Sequence, residues 1–161
     1  MNLTSTHEDY LEIIFRLNQT GDHSVTISKL ASELGCRLPT VTRTIKALTE
    51  HGYVHHEHRG DISLSPKGKT IAQQVAHRHD DVTAFLHLVL GLDHDHANAD
   101  ACKIEHGFSP LAAERLHAFM EIYHQLNDDT KSNIQHAVQR IDNNQNLFGA
   151  IQESTANGRR H

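Results

Sequence analysis

Apolar residues in the first third of the chain recur at helical spacing. Tyr10, Ile13, Ile14 and Leu17 follow i, i+3, i+4, i+7 and predict an amphipathic first helix. Ser5-Thr6-His7-Glu8 ahead of it has the S-x-x-E form of a capping box, and Gly21-Asp22 ends it. Thr26 is placed to cap a short second helix over about Ile27–Leu34 that buries Ile27, Leu30 and Ala31. Gly35 supplies a turn, and Pro39 suits the first turn of a third helix with Val41, Ile45 and Leu48 inside. After Gly52 the period changes. Tyr53-Val54-His55-His56 and Ile62-Ser63-Leu64 read as short strands about a turn at Arg59-Gly60-Asp61.

The second half returns to helical spacing. Ser65-Pro66 opens a long fourth helix to about Leu90, broken by Gly91-Leu92-Asp93. His94–Ala97 reads as a loop before a fifth helix from about Asn98 to His106. Ser109-Pro110 starts a sixth, with Leu116, Phe119, Met120 and Tyr123 in its stripe. Asp128-Asp129 leads into a seventh, carrying Ile134, Val138 and Ile141, and Ser154–His161 is a polar, frayed end. The expected fold is mainly α: a winged helix-turn-helix over residues 1–70, then a helical domain over 71–161.

The third helix gives the first half a chemical role. Its outer face carries Thr40, Thr42, Arg43 and Lys46, with Arg37 and Pro39 at its start and Arg59 at the hairpin tip. Arg43 is long enough for a guanine edge, Lys46 can neutralise a phosphate, and the threonines can bond phosphates or touch a thymine methyl. The chain's net charge of −5 hides a basic segment: residues 29–69 hold seven Lys/Arg against four Asp/Glu. The competing reading is a protein-interaction helix whose basic residues are merely solvated.

Composition narrows the classes. Hydrophobic content of 37% with no Trp is lean but sufficient for a helical protein that adds apolar surface by dimerising. No apolar run reaches membrane-spanning length and Met1–Ser5 lacks a signal-peptide pattern, so a cytoplasmic protein without membrane contact is expected. Two cysteines, Cys36 and Cys102, make no disulfide framework, and Cys36 reads as a small buried residue in the turn.

Residues 102–106 read Cys-Lys-Ile-Glu-His, which on a helix points Cys102, Glu105 and His106 one way. Thiolate, carboxylate and imidazole together are a transition-metal ligand set. The alternative is a surface Glu and His beside a buried Cys. Asp9 and Glu12 form a second acidic pair at helical spacing, and His79 on the fourth helix is a third element. The sixteen histidines carry little weight alone, and His77, His94 and His96 read as solvated.

Taken together, the stretches Glu8-Asp9-Tyr10-Leu11-Glu12, Pro39-Thr40-Val41-Thr42, Arg59-Gly60, Leu64-Ser65-Pro66-Lys67-Gly68, Arg78-His79, Gly91-Leu92-Asp93 and Ile104-Glu105-His106 resemble the DtxR/MntR family of metal-dependent transcriptional repressors. The resemblance runs from His7 to about Ser109. It implies a winged-helix domain, a helical dimerisation domain, and no third SH3-like domain, as in the shorter manganese-type members. Five of six positions match the manganese branch's ligands: Asp9, Glu12, His79, Glu105 and His106. Cys102 departs from that branch, which has Glu there, and agrees with the iron branch. The iron branch in turn has Met where this chain has Asp9. That branch's ancillary site would fall on His79, Thr83 and Asn98, and the last two are poor ligands, so no ancillary site is implied.

The implied cofactor is a divalent transition metal, Mn²⁺ or Fe²⁺, with Co²⁺ or Zn²⁺ able to substitute. Carboxylates suit Mn²⁺ and Fe²⁺, whereas a thiolate at 102 favours Fe²⁺, Co²⁺ or Zn²⁺ and removes a carboxylate able to bridge two ions. The implied partners are a second copy of the chain and a palindromic double-stranded operator near metal-homeostasis genes. A metal-independent winged-helix regulator sensing a small ligand or protein partner is the rival. A metalloenzyme is disfavoured because no nucleophile–base pair accompanies the ligands.

Overall fold

Thr4, not Ser5, caps the first helix. In the computed structural model, which describes residues 3–19, 24–56 and 61–144 (side chains to residue 140), α1 spans Ser5–Gln19. The His7 backbone N–H donates to Thr4 Oγ1 at 3.4 Å, and the Thr4 hydroxyl lies 2.7 Å from His7 Nδ1. The expected capping box is therefore shifted by one residue. The Glu8 carboxylate accepts from Arg78 at 3.0 Å.

The chain divides into two compact units, Met1–Asp80 and Asp81–His161. In the first, α2 spans Ile27–Glu33 and α3 spans Leu38–Glu50. Thr26 caps α2 as expected, accepting from Lys29 N at 3.2 Å. Gly35 between them has φ +60°, a left-handed conformation that suits glycine. Val41, Ile45 and Leu48 are fully buried and turn the opposite face of α3 outward. They join Tyr10, Leu11, Ile14, Val25, Leu30, Val54, Ile62 and Ala72 in one core.

Strands β1 (Val54–His56) and β2 (Ile62–Leu64) pair antiparallel with Val54 opposite Leu64 and His56 opposite Ile62. Ile62 N also donates to Val25 O at 2.8 Å, and Ser24 Oγ to Asp61 at 2.6 Å, which anchors the hairpin beside α2. Both Gly21-Asp22 and the hairpin tip with Arg59-Gly60 lie outside the described residues. Ser65 then bonds twice: its hydroxyl donates to Gly52 O at 2.7 Å and accepts from Gly68 N at 3.0 Å. Helix α4, Pro66–Ala84, follows. At Gly68 the helix presses on the backbone so closely that a Cβ would sit 2.0 Å from the Tyr53 carbonyl oxygen.

The fourth helix does not reach Leu90 at α pitch. A π-turn takes over at Phe85–Val89. Widening the turn frees carbonyls, and Leu88 O accepts both from Tyr123 Oη at 2.8 Å and from Gln135 Nε2 at 2.6 Å. Helix α5 begins at His94, earlier than expected, because the Asp93 carboxylate caps it by accepting from His96 N at 3.0 Å. It ends at Ile104, and Glu105–Gly107 forms a 3₁₀ turn instead of helix. Helix α6, Pro110–Gln125, has the expected Ser109 cap and Pro110 start. Helix α7, Asp128–Asn144, is capped by Asn127, which accepts from Thr130 N at 2.8 Å. Val89, Met120 and Tyr123 form the second unit's small core, with Leu116 and Ile134 half-buried around it. Phe119, on the apolar stripe of α6, is 41% exposed and meets Phe85 edge-on at 5.9 Å. Ile141's side chain and the polar end after residue 144 lie outside the described residues. Among the described residues no helix is long and apolar enough to cross a membrane.

Candidate metal centre and recognition helix

Helix α1 puts Asp9 and Glu12 one turn apart on a shared face, Asp9 half-buried and Glu12 buried. Helix α4 brings His79, also buried, to Glu12. Ligand atoms of these two side chains lie within 4.8 Å of each other. An ion bound about 2.0–2.2 Å from a carboxylate oxygen and an imidazole nitrogen spans ~4 Å between them, so a small side-chain adjustment suffices. A carboxylate oxygen and an imidazole nitrogen brought this close are donors that divalent transition metals accept.

Two arginine bridges tie α1 to α4 around this pair. Arg78 pairs with Glu8 at 3.0 Å. Arg16 donates through Nε to Glu12 Oε1 at 2.7 Å and through Nη2 to Asp80 Oδ1 at 2.8 Å. Burial opposes the Arg16 charge, but the carboxylates of Asp80 and Glu12 outweigh it and hold the guanidinium above its ordinary pKa. Sequence reasoning passed over Arg16 and Asp80. The signal was present in the i, i+4 spacing of Glu12 and Arg16, but Asp80's share in the bridge depends on how α1 packs on α4.

In the second unit Glu105 is 1% exposed and His106 lies against it, Nε2 to Oε1 at 3.3 Å. Both belong to the 3₁₀ turn after α5, so the one-face argument for Cys102, Glu105 and His106 as a continuous α-helix does not describe them. Gly107 and the Ser109 cap of α6 follow at once, leaving α5 no room for another turn. Cys102 is exposed in the last turn of α5. His77, His94 and His96 are exposed, as expected of solvated residues. His96 Nδ1 bonds the Asp93 carboxylate.

The recognition-helix candidates fare uniformly. Arg37, Pro39, Thr40, Thr42, Arg43 and Lys46 are all exposed on or beside α3, while Arg59 lies outside the described residues. Thr42 Oγ1 donates to Leu38 O at 2.9 Å, so its hydroxyl hydrogen is taken and what it offers a ligand is a methyl group and lone pairs. Lys46 is held only loosely by Glu50 at 3.9 Å, an exposed pair that a phosphate can replace.

Two family profiles match successive parts of the chain. The profile of the iron dependent repressor N-terminal DNA binding domain matches residues 2–62. That of the iron dependent repressor metal binding and dimerisation domain matches residues 65–134. An uncharacterized HTH-type transcriptional regulator of Methanocaldococcus jannaschii is 35% identical over 119 residues, covering 74% of this chain and 95% of that protein. The HTH-type transcriptional regulator MntR of Geobacillus thermodenitrificans is 31% identical over 70% of this chain and 79% of its own length. A manganese-dependent transcriptional repressor in complex with manganese superposes with a TM-score of 0.67 at 28% identity, over 71% of this chain and 52% of that one. The manganese regulator SloR gives 0.64 at 27%, over 71% and 53%. The chain spans about half the length of these two solved structures. With both domain profiles matched and a relative covered almost end to end, the chain belongs to the iron-dependent repressor family, transcriptional regulators rather than enzymes.

Proposed function

We propose that the chain is a homodimeric, cytoplasmic, metal-activated repressor that closes a palindromic operator when a divalent transition metal is abundant. The observation that carries this reading is a matched pair of acid–imidazole sets, each with a buried carboxylate and one in each unit: Glu12 with His79, and Glu105 with His106. Asp9 and Cys102 complete the proposed ligand set of Asp9, Glu12, His79, Cys102, Glu105 and His106. When bound, the metal would supply the positive charge that the carboxylates and imidazoles of this set are suited to hold. The chain's own residues do the rest. Glu12 on α1 and His79 on α4 hold the ion, and α3 presents Arg37, Pro39, Thr40, Thr42, Arg43 and Lys46 to the major groove, with Arg59 reaching the backbone beside it. The working division falls near residue 70, DNA binding before it and metal binding and dimerisation after it.

The donor set is mixed. Carboxylates favour Mn²⁺ and Fe²⁺, and Cys102 adds affinity for Fe²⁺, Co²⁺ and Zn²⁺. Operator binding followed by fluorescence anisotropy against each metal, under anaerobic conditions that protect the thiol, tests the reading. It requires that at least one of these metals raise operator affinity by tenfold or more. By linkage the operator must tighten metal binding by the same factor. Equal affinity with and without every metal favours the metal-independent regulator instead.

A further inference from the structure

Arg16 is divided between two carboxylates. Its Nε–H goes to Glu12 at 2.7 Å, and its Nη2 goes to Asp80 at 2.8 Å and to the Ala76 carbonyl at 3.5 Å. The Glu12 side chain is 10% exposed and that of Asp80 61%, so the buried end of this bridge is the proposed ligand and the solvated end is not. A cation that approaches Glu12 finds a positive charge already bonded to that carboxylate. Two cations sharing one carboxylate repel each other, most strongly where water is excluded. Asp80 works the other way, because it draws on the same guanidinium and cancels part of its charge.

We propose that Arg16 is a built-in competitor for Glu12, and that the Arg16–Asp80 couple sets the metal concentration at which the centre fills. The proposal rests on Glu12 being a ligand. Arg16 acts through Glu12 and is a positioning residue. Without metal it compensates the buried carboxylate and keeps Glu12 facing α4; with metal it weakens the carboxylate's hold on the ion. A purely structural strap predicts that losing either end of the bridge weakens metal binding. A competitor predicts opposite signs at the two ends.

The experiment uses the full chain, Mn²⁺ titrated by calorimetry, and the melting temperature of the metal-free protein. Arg16→Met is expected to lower the Mn²⁺ dissociation constant by about tenfold, the scale of removing one partly screened unit charge close to the site. Asp80→Asn is expected to raise it by about threefold, since a freed guanidinium opposes the ion more fully. Arg16→Lys keeps the charge and is expected to stay closer to the parent than to Arg16→Met, even if melting falls in both. Weaker Mn²⁺ binding in Arg16→Met, or a same-sign change in Asp80→Asn, overturns the proposal. Glu12→Gln separates the two levels. If it abolishes Mn²⁺ binding while the Arg16 variants fail as above, only the competitor role is lost. If it leaves Mn²⁺ binding unchanged, the ligand assignment fails with it.

Discussion

Replacing Gly68 with Ala adds one methyl group in the first turn of α4, where helix propensity alone favours Ala by up to about 1 kcal/mol. The structure reverses that sign. The new Cβ falls 2.0 Å from Tyr53 O and 3.0 Å from Tyr53 C, and both are backbone atoms that no rotamer change can move. Relief requires α4 to lift from the β1 strand. Tyr53 O also accepts from Ser65 N at 3.0 Å, and Gly52 O accepts from Ser65 Oγ at 2.7 Å, so the lift strains two hydrogen bonds. Overpacking of this kind costs about 1–3 kcal/mol, and two weakened bonds add ~1 kcal/mol each. Net of propensity, Gly68→Ala should destabilise the first unit by about 2–4 kcal/mol, which at this size is a fall of ~10 °C or more in melting temperature. Urea unfolding followed by circular dichroism measures it. Gly107→Ala is the control, because a Cβ there meets nothing within 4 Å. A Gly68→Ala midpoint no lower than that of Gly107→Ala would refute the steric argument.

Arg43→Ala should weaken operator binding by about 1–3 kcal/mol and relax base preference, whereas Lys46→Ala should weaken all sequences alike and flatten the salt slope; equal loss on specific and random DNA in anisotropy titrations removes Arg43 as a base reader. Cys102→Glu should move the metal ranking toward Mn²⁺ and away from Fe²⁺, Co²⁺ and Zn²⁺, read as the metal concentration for half-maximal operator binding, and an unchanged ranking means the thiol is no ligand. The Asp93 carboxylate is held below its ordinary pKa of 3.8, first by the His96 backbone N–H and then by its side chain. Its contribution to α5 is therefore complete above that ordinary value and lost as pH falls through the lower folded one; the protection of α5 amides relative to their unstructured exchange rates should fall over that range, and Asp93→Asn should abolish that fall while keeping the cap.

The elements that could be read from the sequence were those fixed by local chemistry. Thr26, Ser109-Pro110 and the Val41, Ile45, Leu48 stripe needed only neighbours within a turn or two to determine them, and they fold as the spacing implies. Errors arose elsewhere. The cap moved from Ser5 to Thr4, the Glu8 carboxylate meets Arg78 seventy residues away, and Phe119, though on the apolar stripe of α6, is 41% exposed. The helix break at Glu105 was misread because the 102–106 spacing fits an α-helix equally well, and only the start of α6 a few residues later forbids one. Of the centre, the residue types were visible as motifs. The burial of Glu12 and Glu105 and the sharing of Arg16 were not, since these depend on the packing of helices remote in sequence.

The π-turn at Phe85–Val89 has a consequence for how the chain tolerates insertion and deletion. An α-helix advances about 100° per residue, so accommodating one extra residue in a wider turn lets the segment beyond it keep its phase with the segment before. Loss of a single codon within 85–89 would let the helix revert to uniform α pitch without rotating α5 out of register. The cost falls on the Leu88 carbonyl, whose change of position at α pitch would weaken the bonds from the Tyr123 hydroxyl and the Gln135 amide. This short stretch is thus a place where the length of the chain can change while its geometry is conserved, at the expense of the bonds that fasten α6 and α7.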